Sequence, residues 1–258
     1  MSLLTLKRCR PYLLGPVLPL CGLVAWWRMA ASGHAGPLFV TPGQVLGTAY
    51  TLAANGELWQ ALWASLGRYM GGLGLGASAG LGAALLLGLS KTSRRLLGPT
   101  LRTLQQVSLF AWIPLIMAWF GLGETSKWVF IALAAFFPVL VNSFEGVGSV
   151  PVHWVEVARV LRFSRWQLLT RVVLPSALPS IFSGLYLAII YAWLATLGAE
   201  YLMTSGNGLG NVLADGQDRY RMDQVLLGVL VVTGVGFGLN TLASRLETRL
   251  QRWKANSG

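Results

Sequence analysis

The chain has 258 residues, of which 54% are hydrophobic and 11% charged, with a net charge of +11. A soluble domain carries roughly 25% charged residues, so too few remain here to cover a water-facing globule of this size. That excludes a cytosolic enzyme, and the apolar content excludes a disordered chain. The sequence therefore reads as an all-α, polytopic membrane protein, and the uncharged runs locate its crossings. A helix needs about 17–25 apolar residues to cross the hydrocarbon layer. Between Arg10 and Arg28 lie 17 uncharged residues, between Arg68 and Lys91 22, and between Arg102 and Glu124 21. Between Lys127 and Glu145 lie 17, between Arg171 and Glu200 28, and between Asp223 and Arg245 21. Six spans are predicted, at about 11–30, 66–90, 103–121, 128–146, 177–199 and 224–244, in a single transmembrane domain over 1–258.

The first run reads as a retained helix rather than a cleaved leader. Trp26, Trp27 and Arg28 follow it directly, without a small-x-small cleavage pattern, and paired Trp suits a membrane interface. The uncharged stretch 29–56 contains Ser32, His34, Pro37, Thr41, Pro42, Gln44 and Asn55 and reads as a loop. The second span places Gly72, Gly76 and Gly80 four residues apart, and the sixth spaces Gly234 and Gly238 likewise. Small residues let helix backbones approach closely in lipid, so both are expected to be helix–helix contact stripes. Gly74, Gly76 and Ala79 also fit a dinucleotide-binding pattern, but that pattern needs a strand and a loop before its helix. Pro114 and Pro138 fall inside predicted spans, where each can kink a helix. Either bend packs against a neighbour or lines a path through the membrane. No span centre carries an ionisable side chain, which argues against proton or sodium coupling.

With both termini in the cytoplasm, 15 Lys and Arg fall on the cytoplasmic side and 3 on the other, Arg28 and Arg68 lying near span ends. Positive residues are retained inside during insertion, so this bias sets the orientation. The net charge is then a topology signal aided by anionic lipid, and no aromatic-interleaved basic patch points to nucleic acid. Cys9 and Cys21 fall in different environments, and His34 and His153 on opposite sides, so neither a disulfide nor a metal site is expected.

The stretch 149–179 is too polar to span and too regular to be a loose loop. Val155, Ala158 and Leu161 follow helical spacing, as do Trp166, Leu169 and Val173. Ser164 suits the N-cap of the second piece, and Pro175 marks the beginning of the fifth span. Two short amphipathic helices joined near Arg162–Ser164 are predicted. Such a pair either lies on the membrane surface or docks into a partner groove.

Within this stretch Glu156, Ala158, Val172, Leu174 and Pro175 match the spacing E-A-A-x3-G-x9-I-x-L-P. The pattern resembles the inner-membrane permeases of binding-protein-dependent ABC importers. The segments WFGLGETSK (119–127), FFPVLVN (136–142) and SRWQLLTRVVLPSALPSIFSGL (164–185) look like the subfamily for aliphatic sulfonates, taurine or nitrate. The likeness covers about 65–253 and is far more specific for the permease class than for the cargo. It implies a type I ABC importer permease fold and a cytoplasmic coupling segment at 151–175. The docking residues it implies are Glu156, Ala158, Arg159, Arg162, Ser164, Arg165, Leu174 and Pro175. Two positions depart from the pattern. Val157 stands for the second Ala, and Arg162 stands for a Gly that a positive φ favours. The turn is expected to shift by a residue, or Arg162 to bind lipid or partner phosphates.

The resemblance also implies partners. They are an ABC ATP-binding subunit, a periplasmic or lipid-anchored solute-binding protein, and a second copy of the permease in a homodimer. None of the four lysines is preceded by Gly, so the chain lacks a phosphate loop. ATP and Mg are expected in the partner, with no cofactor, metal or catalytic residue in this chain. The chain is thus expected in the bacterial inner membrane, as a permease and not an enzyme. Its cargo is expected to be a small anion, an aliphatic sulfonate first, with taurine, nitrate or a small heterocycle as alternatives. A membrane enzyme would need clustered His or acids, and a stand-alone channel a charged ring or carbonyl filter. For the path, Trp112, Pro114, Asn142, Tyr186 and Tyr191 carry donors or bends near mid-span, and Glu200 is a candidate gate or interface group.

Overall fold

The computed structural model describes residues 21–22, 24–30, 39–203 and 205–255, and among them only helices and turns occur. Most of the first expected span, together with Lys7, Arg8, Cys9, Arg10 and His34, lies outside the described residues; 21–22 and 24–30 are helical. The all-α expectation holds. Among the described residues four helices are long and apolar enough to cross a membrane, or five if one bent pair is counted as a span.

The expected loop over 29–56 is corrected in its second half, because Pro42–Ala54 is a helix, α1. Thr41, Pro42, Gln44 and Asn55, which suggested a loop, sit at its ends. The Thr41 hydroxyl accepts from the Gln44 amide, and the Gln44 side chain accepts from the Thr41 N–H. This reciprocal cap satisfies donors that a helix start otherwise leaves free. Pro42 occupies the first turn, where its missing N–H costs nothing. Val45 and Leu52 bury against Leu227.

Helix α2, Glu57–Gly88, starts well before the predicted 66. It runs parallel to α5, Glu124–Gly148, and the two pack along the glycine stripe. A Cβ on Gly76 would strike the Ala132 carbonyl, and one on Gly80 would lie 2.7 Å from the Phe136 carbonyl. The expected contact at 72, 76 and 80 is therefore real, and only Gly allows this approach. Within the described residues the sixth span differs. No described atom lies within 4 Å of a Cβ built on Gly234 or Gly238, whereas Gly236 meets Trp193 Nε1 at 2.9 Å.

The run 103–121 is not one straight helix. Helix α3, Lys91–Gln105, stops, and a short 3-10 turn at Leu109–Trp112 leads into α4, Ile113–Phe120, bent by 93°. Three polar residues, Gln105, Gln106 and Ser108, interrupt the apolar run at the corner. Pro114 sits in the first turn of α4, so the expected kink there is replaced by a break that precedes the proline. Pro138 does lie inside α5 and is buried.

A short helix α6, Val152–Val160, precedes α7, Arg165–Leu202, which runs antiparallel to α5. Pro175 does not begin a separate span. Residues 169–173 form a π turn, with the Leu174 N–H reaching back to the Leu169 carbonyl. The wider turn makes room for a proline ring that would otherwise collide with the preceding turn. Helix α8, Leu209–Asp218, then leads into α9, Met222–Ala255. The fold thus has two ends. One gathers the starts of α2 and α5, the end of α7, and α8. The other gathers the ends of α2 and α5, helix α3, and the 149–175 segment.

Candidate functional site

At the second end the chain makes a tight elbow between α6 and α7. The Arg162 N–H donates to the Arg159 carbonyl at 3.0 Å, and the Phe163 N–H to the Ala158 carbonyl at 2.9 Å. This is the paired closure that ends helices around a left-handed residue. That residue is Arg162 itself, at φ 53. The turn has not shifted along the chain, so the expectation that Arg would displace it is corrected. The backbone bonds hold Arg162 in a conformation costing about 1 kcal/mol relative to the usual one. Ser164 then caps α7 as predicted. Its hydroxyl accepts from the Gln167 N–H at 3.2 Å, and Gln167 Oε1 accepts from the Ser164 N–H at 2.8 Å.

The expected docking residues divide by burial. Ala158 is buried, and Leu174 packs with Val147, Val173, Ala177 and Ile181. Glu156, Arg159, Arg162, Arg165 and Pro175 are exposed. Beside them Trp154, Val157, Val160, Leu161 and Trp166 are also exposed. None of the four charged residues forms an ion pair among the described residues. The Arg171 guanidinium lies 6.0 Å from the Phe163 ring centre, tying the elbow to the base of α7.

The expected path residues do not all converge. Trp112 and Tyr191 line one cavity of about 380 Å³ between the α3–α4 corner, α5 and α7, with Gln105, Ser108, Phe110 and Phe137 among its walls. Pro114, Asn142, Tyr186 and Glu200 are not in its lining. The Asn142 side chain donates to the Pro138 carbonyl of its own helix at 2.8 Å. The Tyr186 hydroxyl donates to Asn240 Oδ1 at 2.9 Å, joining α7 to α9.

Glu200 belongs to an ion cluster at the first end in which Arg68, Lys127 and Glu200 are buried and Glu124 is half exposed. The Arg68 guanidinium donates to both Glu124 oxygens, at 2.6 and 2.8 Å, and to Glu200 Oε1 at 2.7 Å. It also donates to the Asn207 carbonyl at 2.5 Å. Glu200 is fully buried and accepts from the Ser65 hydroxyl and from the Gly210 N–H. Lys127, equally buried, lies 3.7 Å from Glu124 and donates to the Ser205 carbonyl. Two cations thus face two anions, and α2, α5 and α7 are tied to the 205–210 backbone. Gly208 and Gly210 pass so close to Glu200 that a Cβ on either would overlap its side chain.

Sequence reasoning had Arg68, Glu124 and Lys127 only as limits of apolar runs. A signal was present. Arg68 opens one run, Glu124 closes the next, Lys127 opens another and Glu200 closes the following one. Alternating crossings put all four at the same membrane face, and their charges sum to zero.

A family described as the inner-membrane component of binding-protein-dependent transport systems matches residues 72–255. A permease protein named for aliphatic sulfonates transport in Bacillus subtilis (strain 168) is 36% identical over 241 residues, covering 93% of this chain and 87% of its own. The taurine transport system permease protein of Escherichia coli (strain K12) is 37% identical over 237 residues, covering 90% and 86%. Among solved structures, a chain of the MetNI methionine ABC transporter in an inward-facing conformation aligns with a TM-score of 0.62 at 15% identity. That alignment covers 74% of this chain and 95% of the other, so the fold is shared.

Proposed function

The chain belongs to the family of binding-protein-dependent inner-membrane transport components, and on that premise we propose that it is the permease of an ATP-driven importer for a small organic anion, an aliphatic sulfonate. It is a multi-pass protein of the bacterial inner membrane. Members of this family work with a separate ATP-binding subunit, where ATP is hydrolysed, and with a solute-binding protein. In our reading two copies of this chain form the pathway, with six spans each and both termini in the cytoplasm.

The observation that carries the coupling role is the elbow at 151–175. Exposed Trp154, Val157, Val160 and Trp166 stand beside the unpaired charges Glu156, Arg159, Arg162 and Arg165. An apolar centre rimmed by charge suits a protein groove, where burial supplies affinity and charge supplies register. Ser164 fixes the bend, Ala158 and Leu174 are the inward-facing residues of the segment, and Pro175 follows the π turn at the base of α7. ATP binding in the partner would bias this chain between inward-open and outward-open states, to the extent that the partner grips the elbow differently in each.

For the path we assign the cavity between Trp112 and Tyr191. Trp, Tyr, Ser108 and Gln105 offer hydrogen-bond donors, and the walls are otherwise largely aromatic and aliphatic. That mixture suits an anion with an alkyl body better than nitrate. Pro114 ends the broken span beside it, and Asn142 and Tyr186 stiffen the surrounding helices. Glu200, through its ion cluster, is the interface group that joins α7 to α2 and the 205–210 backbone on the face where the binding protein delivers cargo. Taurine or a small heterocycle would fit the same description.

The test is reconstitution of the chain with its ATP-binding subunit and binding protein in proteoliposomes. Glu156→Lys should leave the assembled complex intact and abolish ATPase stimulation by the cargo-loaded binding protein. Full stimulation in that variant would contradict the coupling role. A thermal-shift panel on the binding protein with ethanesulfonate, taurine and nitrate separates the cargoes.

A further inference from the structure

We propose that the groove between α3 and the end of α5 is a binding site for the phosphodiester headgroup of an anionic phospholipid. A pocket of about 550 Å³ opens there, lined by Arg94, Arg95, Arg102 and Glu145, with Phe144 and Gly148 at its floor. Arg102 pairs with Glu145 at 3.0 Å. Arg94 is half-buried and Arg95 exposed, and neither has an ion pair among the described residues. Three cations against one anion leave the lining with two uncompensated positive charges. A guanidinium partly withdrawn from water favours a bidentate anionic partner, and phosphate is the geometry it fits.

The position of Arg94 depends on Gly148. A Cβ there would stand 2.8 Å from an Arg94 terminal nitrogen, so the glycine leaves the space that the guanidinium takes. It lies at the last residue of α5, where unpaired carbonyls favour a cation.

Helix α3 selects a lipid over a free anion. Leu101 packs inward against the Phe144, Leu140 and Ala84 cluster. Leu96, Leu97 and Leu104 are exposed, at 69%, 37% and 37%. A soluble phosphate would use the arginines and leave these leucines uncovered. A phospholipid covers both, with its headgroup in the arginine pocket and its acyl chains along the leucines. Basic pockets beside membrane helices recognise lipid headgroups on this principle. The site requires only that the chain resides in a membrane, and so is independent of the cargo and of the elbow's role.

Native mass spectrometry of the detergent-purified importer complex tests it, with phosphatidylglycerol, phosphatidylcholine and inorganic phosphate as probes. Phosphatidylglycerol should be retained and phosphatidylcholine should not. Each arginine at an anionic headgroup contributes about fivefold, so Arg94→Gln with Arg95→Gln should weaken phosphatidylglycerol retention about thirtyfold. The paired Lys variants should keep most of it, and Gly148→Ala, which pushes Arg94 aside, should give an intermediate loss. Should the paired Gln variant fail to assemble, the Gly148→Ala and Lys variants decide the matter. Unchanged retention in Gly148→Ala and in any assembled Gln variant would overturn the proposal. So would displacement of the lipid by inorganic phosphate, which marks a free-anion site. Release of the ATP-binding subunit from an otherwise folded Gln variant would also overturn it, marking the face as a protein contact.

Discussion

The two ends of the helix bundle treat charge in opposite ways. At one end Arg68, Lys127 and Glu200 are drawn inward and pair with one another and with the half-exposed Glu124, with Ser65 and the 205–210 backbone completing the set. At the other end Glu156, Arg159, Arg162 and Arg165 stand in the open with no ion pair among the described residues. The first arrangement is complete within the chain and contributes to holding it together. The second contributes little to the isolated chain, and its value lies in what it meets. Charge that is paired within the chain marks structure here, and on the coupling proposal charge that is exposed beside apolar side chains marks an interface.

That contrast can be broken by substitution at each end. The largest effect is expected from Arg68→Met, which leaves Glu200 buried without its cation. Such a loss costs about 3–5 kcal/mol, read as a large fall in thermal stability in detergent. Adding Glu200→Gln to it should restore part of the loss, since the uncompensated charge is gone. A change within about 0.5 kcal/mol for Arg68→Met would show that the cluster is not structural. At the elbow, Ser164→Ala should cost about 1 kcal/mol by removing a helix cap, seen as a modest shift in melting temperature. Arg162→Gly should stabilise the chain by less than about 1 kcal/mol, because Gly relaxes the left-handed position while adding freedom to the unfolded chain. The smallest effect on stability belongs to Glu156→Lys, within about 0.5 kcal/mol as for an exposed unpaired side chain. Its melting curve should overlay the unmodified protein's even as coupling is lost.

Much of this was legible in the residues. The stripe of Gly72, Gly76 and Gly80 announced a close helix pair because glycine every fourth residue has few other uses in a membrane span. Ser164 announced the elbow because a hydroxyl before a fresh apolar period is a helix start. Other features were hidden by a rule that counts only charge. Gln105 to Ser108 carry no charge, so the corner between α3 and α4 looked like continuous span. Thr41, Pro42 and Gln44 looked like loop because the residues that begin a helix are themselves polar. The partnership of Arg68 with Glu200 spans 132 positions, and no local pattern encodes it. Only placing the run limits on common membrane faces brings those charges together. At Arg162 the sequence pattern located the turn correctly, and steric preference alone misjudged it, because the two closing backbone bonds outweigh the cost of the side chain.

The most direct test of the elbow as the partner contact is site-directed cross-linking. Val157→Cys, in a background with Cys9→Ser and Cys21→Ser, would be assembled with the ATP-binding subunit in membranes and treated with a short bifunctional reagent. The account predicts a cross-link from position 157 to the ATP-binding subunit, with a yield that changes when ATP is bound. Labelling of that cysteine by a membrane-impermeant reagent from outside the cell, or transport at full rate with no cross-link to the subunit, would contradict it.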